Sequence, residues 1–367
     1  MKILMIRTSL HGGGAERVVS EISNYICKNG KSVDIYIYDN VIDYEIDPDV
    51  NIVLSSMPEF LRKLYTYSLK FLGNFAYFIF SPCFIYYLNK DLNLKKYDKI
   101  FIHSLSSILQ FMYLNCNQTY NVFHSYKSDL LLKGRGKLSN LKNRLVINLS
   151  SRWKKNVAVS YGIAADLKDN FKIKECNVIY NPFDTGNIIL KSNSNELDLT
   201  TYGKYIISVG RLDKIKNQKE LISAFSKVDQ KYDSLLLLGS GDLKEELQLF
   251  AKSLNIEDKV HFIGFVDNPY EYIRKGNLLV LSSILEGFGN VIVESLIIGT
   301  PVISSNCNCG PREILTGKLS SYLYETNNEL DLVKKLRKFD YETYPFDNFN
   351  INKFHIEKTV NSYLELK

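Results

Sequence analysis

Short β-branched runs alternate with stretches of helical spacing along the whole chain, and this alternation restricts the fold more than any other feature. Strands separated by helices cannot close hairpins with one another. They pair in parallel through crossovers, which gives α/β, doubly wound parallel sheets. The runs of the first half are Lys2–Arg7, Val33–Tyr38, Lys99–His103, Tyr120–His124, Asn156–Ser160 and Asn177–Tyr180. Those of the second half are Tyr205–Val209, Ser234–Leu238, Lys259–Ile263, Leu278–Leu281, Pro301–Ser304 and Ser321–Tyr324. At 367 residues and roughly 150 residues per domain, the chain reads as two domains, 1–181 and 204–350. A polar, Asn- and Ser-rich stretch at 182–203 reads as the linker. Residues 351–367 carry helical spacing at Ile351, Phe354, Ile356, Val360, Tyr363 and Leu364.

Composition excludes several classes. With 45% hydrophobic and 23% charged residues the chain is neither disordered nor fibrous. Its six cysteines (Cys27, Cys83, Cys116, Cys176, Cys307, Cys309) contain no C-x-x-C pair and read as plain thiols in a reducing compartment. The N-terminus, MKILMIR, runs straight into a glycine loop and reads as a first strand rather than a signal peptide, so the cytoplasm is the expected location.

Charge is unevenly shared. Residues 1–180 hold 24 Lys and Arg against 15 Asp and Glu, a charge of +9, whereas 181–367 carry −3. Lys127, Lys133, Arg135, Lys137, Lys142, Arg144, Arg152, Lys154 and Lys155 crowd one stretch, with leucines between them and only Asp129 opposing. A cationic helix with an apolar face suits an anionic membrane surface, and a solvated helix on a core carries the same pattern. Phe71–Leu88 is free of charge and rich in Phe and Tyr, preceded by Arg62, Lys63 and Lys70. Asn74, Ser81, Pro82 and the tyrosines make it a poor bilayer span. It reads as a helix partly buried and partly available to a membrane surface.

Three segments could carry chemistry. Strand one leads into His11-Gly12-Gly13-Gly14-Ala15-Glu16-Arg17 and then a helix, a junction that presents backbone N–H groups to an anion. It lacks both the G-x-G-x-x-G spacing and a G-K-[ST], which weakens the dinucleotide and P-loop readings. Val209-Gly210-Arg211-Leu212-Asp213-Lys214-Ile215-Lys216-Asn217 places two cations at a strand end, where they would neutralise a departing diphosphate. In Glu286-Gly287-Phe288-Gly289-Asn290-Val291-Ile292-Val293-Glu294, Glu286 falls on a loop and Glu294 inside an apolar helix. A carboxylate there is costly unless it binds something.

This last passage resembles the E-x7-E motif of the family-4 retaining glycosyltransferases of polysaccharide, O-antigen and capsule biosynthesis. G-G-G-A-E-R, the histidine ending Tyr120–His124, Asn181-Pro182 and G-R-L-D-x-x-K-N match in the same order, and Cys309–Leu315 (C-G-P-R-E-I-L) recurs in such enzymes. The resemblance implies a GT-B fold: two Rossmann-like domains facing across a cleft, with the last helix packing back on the first. It implies transfer of a sugar from a nucleotide diphosphate donor, most readily a UDP-sugar, with retention at the anomeric carbon. Arg211 and Lys216 would hold the diphosphate, Glu294 the ribose hydroxyls, and Val266 the base through its backbone. Glu286 would bind donor-sugar hydroxyls, and the Gly289 and Asn290 amides sugar or phosphate oxygens. His124 would sit beside the reacting face of the sugar, and Gly13 and Gly14 near the phosphates or acceptor. The expected catalytic set is His124, Glu286, Arg211 and Lys216, with no cofactor and no metal.

Asn290 departs from the hydrophobic residue usual in the motif, which leaves the donor sugar open. His103, also at a strand end, is set aside, and Asp47-Pro48-Asp49 reads as a turn. The acceptor implied is a lipid-linked glycan, polyprenyl-diphosphate-linked, at the inner face of the cytoplasmic membrane; nucleic acid is not an expected partner. Two other readings fit the same architecture: a nucleotide-sugar epimerase, and a non-catalytic module that binds a sugar or lipid head group.

Overall fold

A computed structural model describes residues 1–126, 128–132, 136–228 and 231–367. It divides into two compact units, Met1–Pro182 with Ile356–Lys367, and Phe183–His355. Lys127, Lys133 and Arg135 of the basic stretch lie outside the described residues.

The first unit is built on a seven-stranded parallel sheet. Its strands are β1 (Lys2–Ile6), β2 (Ser32–Ile37), β3 (Asn51–Leu54), β4 (Lys99–His103), β5 (Thr119–Phe123), β6 (Lys155–Ala158) and β7 (Asn177–Val178). They lie in the order β3-β2-β1-β4-β5-β6-β7. Runs such as KILMI and KIFIH are apolar almost throughout because helices cover both faces of the sheet. Ile3, Ile6, Ile100, Ile102 and Val122 are wholly enclosed, each contributing about 1.5–3 kcal/mol. β3 is a strand beyond the six expected; it is only half-buried, so no apolar run announces it.

Helix Gly14–Lys28 covers the sheet through Val18, Val19, Ile22 and Ile26. The terminal helix, Ile356–Glu365, packs against it. Tyr363 meets the edge of Phe101 at 5.4 Å, and the Leu366 carbonyl accepts from the Lys99 ammonium and the Tyr120 hydroxyl. The stretch expected as one helix from 351 divides, Ile351–Lys353 forming a separate turn in the second unit.

The uncharged segment Phe71–Leu88 is not one helix. Helices Glu59–Leu72 and Ala76–Asp91 meet at a short turn, Gly73–Phe75. Tyr65, Phe80 and Phe84 pack edge to face, and Phe84 continues onto Tyr38 at 5.1 Å and Phe111. Much of the aromatic surplus is therefore core. Phe60, Leu64, Tyr67, Phe71, Leu72 and Phe75 remain exposed. By length and composition Glu59–Asp91 could cross a membrane, yet only 33% of its most apolar window is buried within the protein. Of the basic stretch, Lys154 is a core residue, its ammonium donating to the carbonyls of Met112 and Ser150.

The second unit holds β8 (Tyr205–Val209), β9 (Ser234–Leu238), β10 (Val260–Gly264), β11 (Leu278–Leu281), β12 (Val302–Ser305) and β13 (Leu323–Tyr324). The order is β10-β9-β8-β11-β12-β13, again all parallel. Residues 182–203, expected as a linker, are largely built into this unit. Asp184 caps helix Thr185–Ser192, which packs on helices Tyr270–Lys275 and Asn290–Ile298. Beyond it, the buried Glu271 carboxylate accepts from the Ser194 hydroxyl, the Glu196 and Leu197 amides and the Lys275 ammonium. Burial would raise its pKa; Lys275, Ser194 and the two amides outweigh that and hold it at about 2. The chain enters and leaves the unit side by side, Phe183 N–H donating to the Phe354 carbonyl at 2.9 Å.

Candidate active site

In each unit the strand order reverses direction between two central strands, and ligands of such sheets bind beyond the carboxyl ends at that point. In the second unit the two strands are β8 and β11. The loop after β8 is fixed by Asp213, whose Oδ1 accepts from the Ile215 and Lys216 amides at 2.9 Å. The loop after β11 is stitched to it: Ser282 Oγ donates to the Lys216 carbonyl at 2.8 Å and Ile284 N–H to the Ile215 carbonyl at 2.7 Å.

The stitching brings Lys216 Nζ to 2.5 Å from Glu286 Oε1, which also accepts from Ser283 Oγ at 2.6 Å. Among the described residues no donor meets Oε2. Arg211 behaves differently: its side chain is 74% exposed, and among the described residues its one ion pair is with Asp213, at 3.4 Å. One cation is thus held in place and the other left extended at the same edge.

Helix Asn290–Ile298 starts directly after Gly289, and first-turn amides have no acceptor inside a helix. Glu294 lies within it, buried with Ile292 and Val293. Phe288 anchors the preceding loop from below, 6.3 Å from Phe183 and 5.7 Å from Phe354. Its carbonyl occupies the space a side chain at position 310 would need, the Cβ falling 1.8 Å away. Gly310 also has φ of +79°, a conformation glycine adopts at least cost. Cys307 is buried nearby, its thiol pushed up to about 12 by burial and then by the Glu286 charge. Val266 follows β10 at the same sheet edge, half-buried.

In the first unit the corresponding strands are β1 and β4. Arg7, just past β1, donates to the His103 carbonyl at 3.2 Å and pairs with Glu16 in the first turn of helix Gly14–Lys28. Burial lowers the Arg7 pKa to about 10. The glycine loop is closed by its own chain: Gly12 N–H donates to Asp43 and Gly13 N–H to the Tyr44 hydroxyl. An anion at Gly13 must displace Tyr44. Gly14 opens the helix itself.

His124 follows β5, and His103, set aside on sequence, meets it: His103 Nδ1 lies 2.9 Å from His124 Nε2. Because β4 and β5 pair with His103 opposite Val122, two histidines that each close a strand become neighbours. That shared position was the signal available in the sequence. His103 is enclosed, and burial, followed by the Arg7 charge, lowers its pKa to about 3. Among the described residues no group of three or more His, Cys, Asp or Glu side chains is gathered so as to hold a metal ion.

Two Rossmann-like units, each with its strand order reversing at the centre, make a GT-B fold. Residues 12–187 match the family model "Glycosyltransferase Family 4" and residues 191–341 match "Glycosyl transferases group 1". The chain is 31% identical over 347 residues to the N-acetylgalactosamine-N,N'-diacetylbacillosaminyl-diphospho-undecaprenol 4-alpha-N-acetylgalactosaminyltransferase of Campylobacter jejuni, covering 90% of this chain and 87% of the relative. It belongs to the family-4 glycosyltransferases and is such an enzyme. Its fold matches the Anabaena protein HepE crystallised with UDP and glucose, at TM-score 0.75 and 18% identity over 100% of this chain and 98% of that one. It also matches a glycosyltransferase from Rickettsia africae, at 0.71 and 19% over 99% and 97%.

Proposed function

We propose that the enzyme moves a sugar, with retention, from a UDP-sugar donor to a lipid-linked or growing cell-surface glycan. The observation that carries this reading is the Lys216–Glu286 contact at the β8/β11 edge. Lys216 and the extended Arg211 hold the diphosphate and neutralise it as it leaves. Glu286, with Oε1 committed to Lys216 and Ser283, offers Oε2 to a sugar hydroxyl. Glu294 binds the ribose, Val266 the base through its backbone, and the Gly289 and Asn290 amides phosphate or sugar oxygens. His124 donates to the sugar, and Gly13 and Gly14 meet phosphate or acceptor once Tyr44 has moved. These side chains supply the charge without a resident metal, so turnover persists in excess EDTA.

The Campylobacter relative is described by an undecaprenyl-diphosphate-linked acceptor and HepE was crystallised with UDP; both support the donor and acceptor class. A peripheral place on the inner face of the cytoplasmic membrane fits that acceptor. Phe71, Leu72 and Phe75 project at the helical turn, and Asn74 donates to Asn143 on helix Lys137–Ser151 at 2.8 Å. That helix exposes Leu141 and Leu145 beside Lys142 and Arg144. Apolar side chains flanked by cations suit an anionic bilayer surface.

The test is a panel of nucleotide sugars with a polyprenyl-diphosphate glycan, following nucleoside diphosphate release and the anomeric configuration of the product. Release that requires acceptor and yields the donor's configuration is expected. Acceptor-independent conversion of the donor would indicate an epimerase, and binding without turnover would overturn transfer.

A further inference from the structure

Arg211 is the less constrained of the two cations at the β8/β11 edge. Its guanidinium is mostly exposed, so the direction in which the side chain leaves the loop is set at the main chain. The peptide unit joining Arg211 to Leu212 is held at both ends. The Leu212 N–H donates to the Ser240 carbonyl at 2.9 Å. The Arg211 carbonyl accepts from the Asp213 N–H at 3.0 Å, across a tight three-residue turn, and from Gln218 Nε2 at 2.8 Å. Gln218 is the first residue of helix Gln218–Phe225 and is 3% exposed. Its amide reaches back along the chain and closes the loop that carries both Arg211 and Lys216.

The orientation of that amide follows from its partner. Oε1 against a carbonyl would set two acceptors face to face, so the nitrogen lies there. Oε1 is then buried, and among the described residues it meets no donor. One hydrogen bond made and one enclosed acceptor unfilled largely cancel in stability. The amide therefore contributes little to folding; what it supplies is the direction of one carbonyl.

We propose that Gln218 is a positioning residue for the diphosphate: by holding the Arg211 carbonyl it stops the 211–212 peptide from turning and fixes the path of the Arg211 side chain. The bearing of this clasp on a ligand rests on the reading of Arg211 given above. Lys216 is tied separately, through Asp213, Ser282 and Glu286, so loss of the clasp falls on Arg211.

The test is a comparison of wild type, Gln218→Met, Arg211→Ala and the double variant by titration calorimetry. UDP, ADP and GDP are the probes, and the comparison uses whichever wild type binds. Arg211→Ala is expected to weaken binding at least about tenfold and Gln218→Met about three- to tenfold. The double variant is expected to bind within about twofold of Arg211→Ala, because Gln218 then has nothing to position. Gln218→Met should also melt near the wild-type temperature. Wild-type affinity in folded Gln218→Met overturns the proposal, whatever its melting temperature. So do losses that multiply in the double variant, which is what a general loosening of the loop would give. If Gln218→Met does not fold, Gln218→Asn, still polar but one methylene short of the carbonyl, takes its place with the same expected losses. Wild-type affinity in Arg211→Ala, or no nucleotide bound by wild type, removes Arg211 as the diphosphate ligand and takes this proposal with it.

Discussion

Lys216 and Glu286 stand seventy residues apart in sequence and 2.5 Å apart in the fold, joined because β8 and β11 are neighbours at the point where the strand order reverses. The pair is asymmetric. Lys216 and Ser283 both meet Oε1, so one carboxylate oxygen is committed to structure and the other is available to a ligand. Lys216→Met removes the fixed cation and should lower kcat/KM about 10²- to 10³-fold, with a loss of stability of only about 1–2 kcal/mol. Glu286→Gln should act in the same direction with a smaller change in melting temperature. Wild-type nucleoside diphosphate release by either folded variant would exclude the pair from catalysis.

Gly310 offers a test of how tightly the Glu286 loop is clamped. A Cβ at position 310 would lie 1.8 Å from the Phe288 carbonyl oxygen, whereas one at Gly299, with φ of +89°, meets nothing within 4 Å. Gly299→Ala should therefore cost about 1–2 kcal/mol of backbone strain. Gly310→Ala should cost clearly more, on the order of 3 kcal/mol, because backbone must move. Thermal melts of the two variants side by side give the comparison, and a donor KM raised only for Gly310→Ala would locate the displacement in the loop.

Stability should depend on Glu271 in acid. Its folded pKa of about 2 lies below the ordinary carboxylate value of 4.5, so the group's contribution is complete above about pH 4.5 and is lost as pH falls toward 2. Glu271→Gln should cost about 2 kcal/mol at neutral pH and flatten this part of the acid limb. Denaturant midpoints for wild type and variant should converge as pH falls through that window; parallel curves would show that the carboxylate is not what holds Ser194–Leu197.

Membrane contact is checked by sedimentation with vesicles. Phe71 is 85% exposed and Phe75 54%, so replacing both by Ser should leave the stability within about 0.5 kcal/mol of wild type per site. Binding to anionic vesicles should fall several-fold, and wild-type binding should weaken as salt is added. Retained binding in the double variant would move the contact elsewhere.

What could be read in the sequence was whatever is local. The apolar runs of β1, β4 and β8 declare themselves, and Lys216 and Glu286 stand out from their own loops before anything shows that those loops touch. What could not be read depends on partners far along the chain. Thr185–Ser192 and the residues after it look like linker because Glu271, the group that orders Ser194–Leu197, lies more than seventy residues downstream. Lys154 looks like one more surface cation, yet two backbone carbonyls hold it in the core. His103 looks dispensable until strand register sets it against His124. β3 has too little buried face to leave a pattern.

The hydrogen bond between Phe183 and Phe354 has a consequence for how such a protein can be rebuilt. Residues 183–355 begin and end at one spot, as an inserted cassette does, and the aromatic pair at that spot also supports Phe288. Splicing at this seam would carry the Glu286 loop and its footing across in one piece; a graft cut inside it would part the loop from what it stands on.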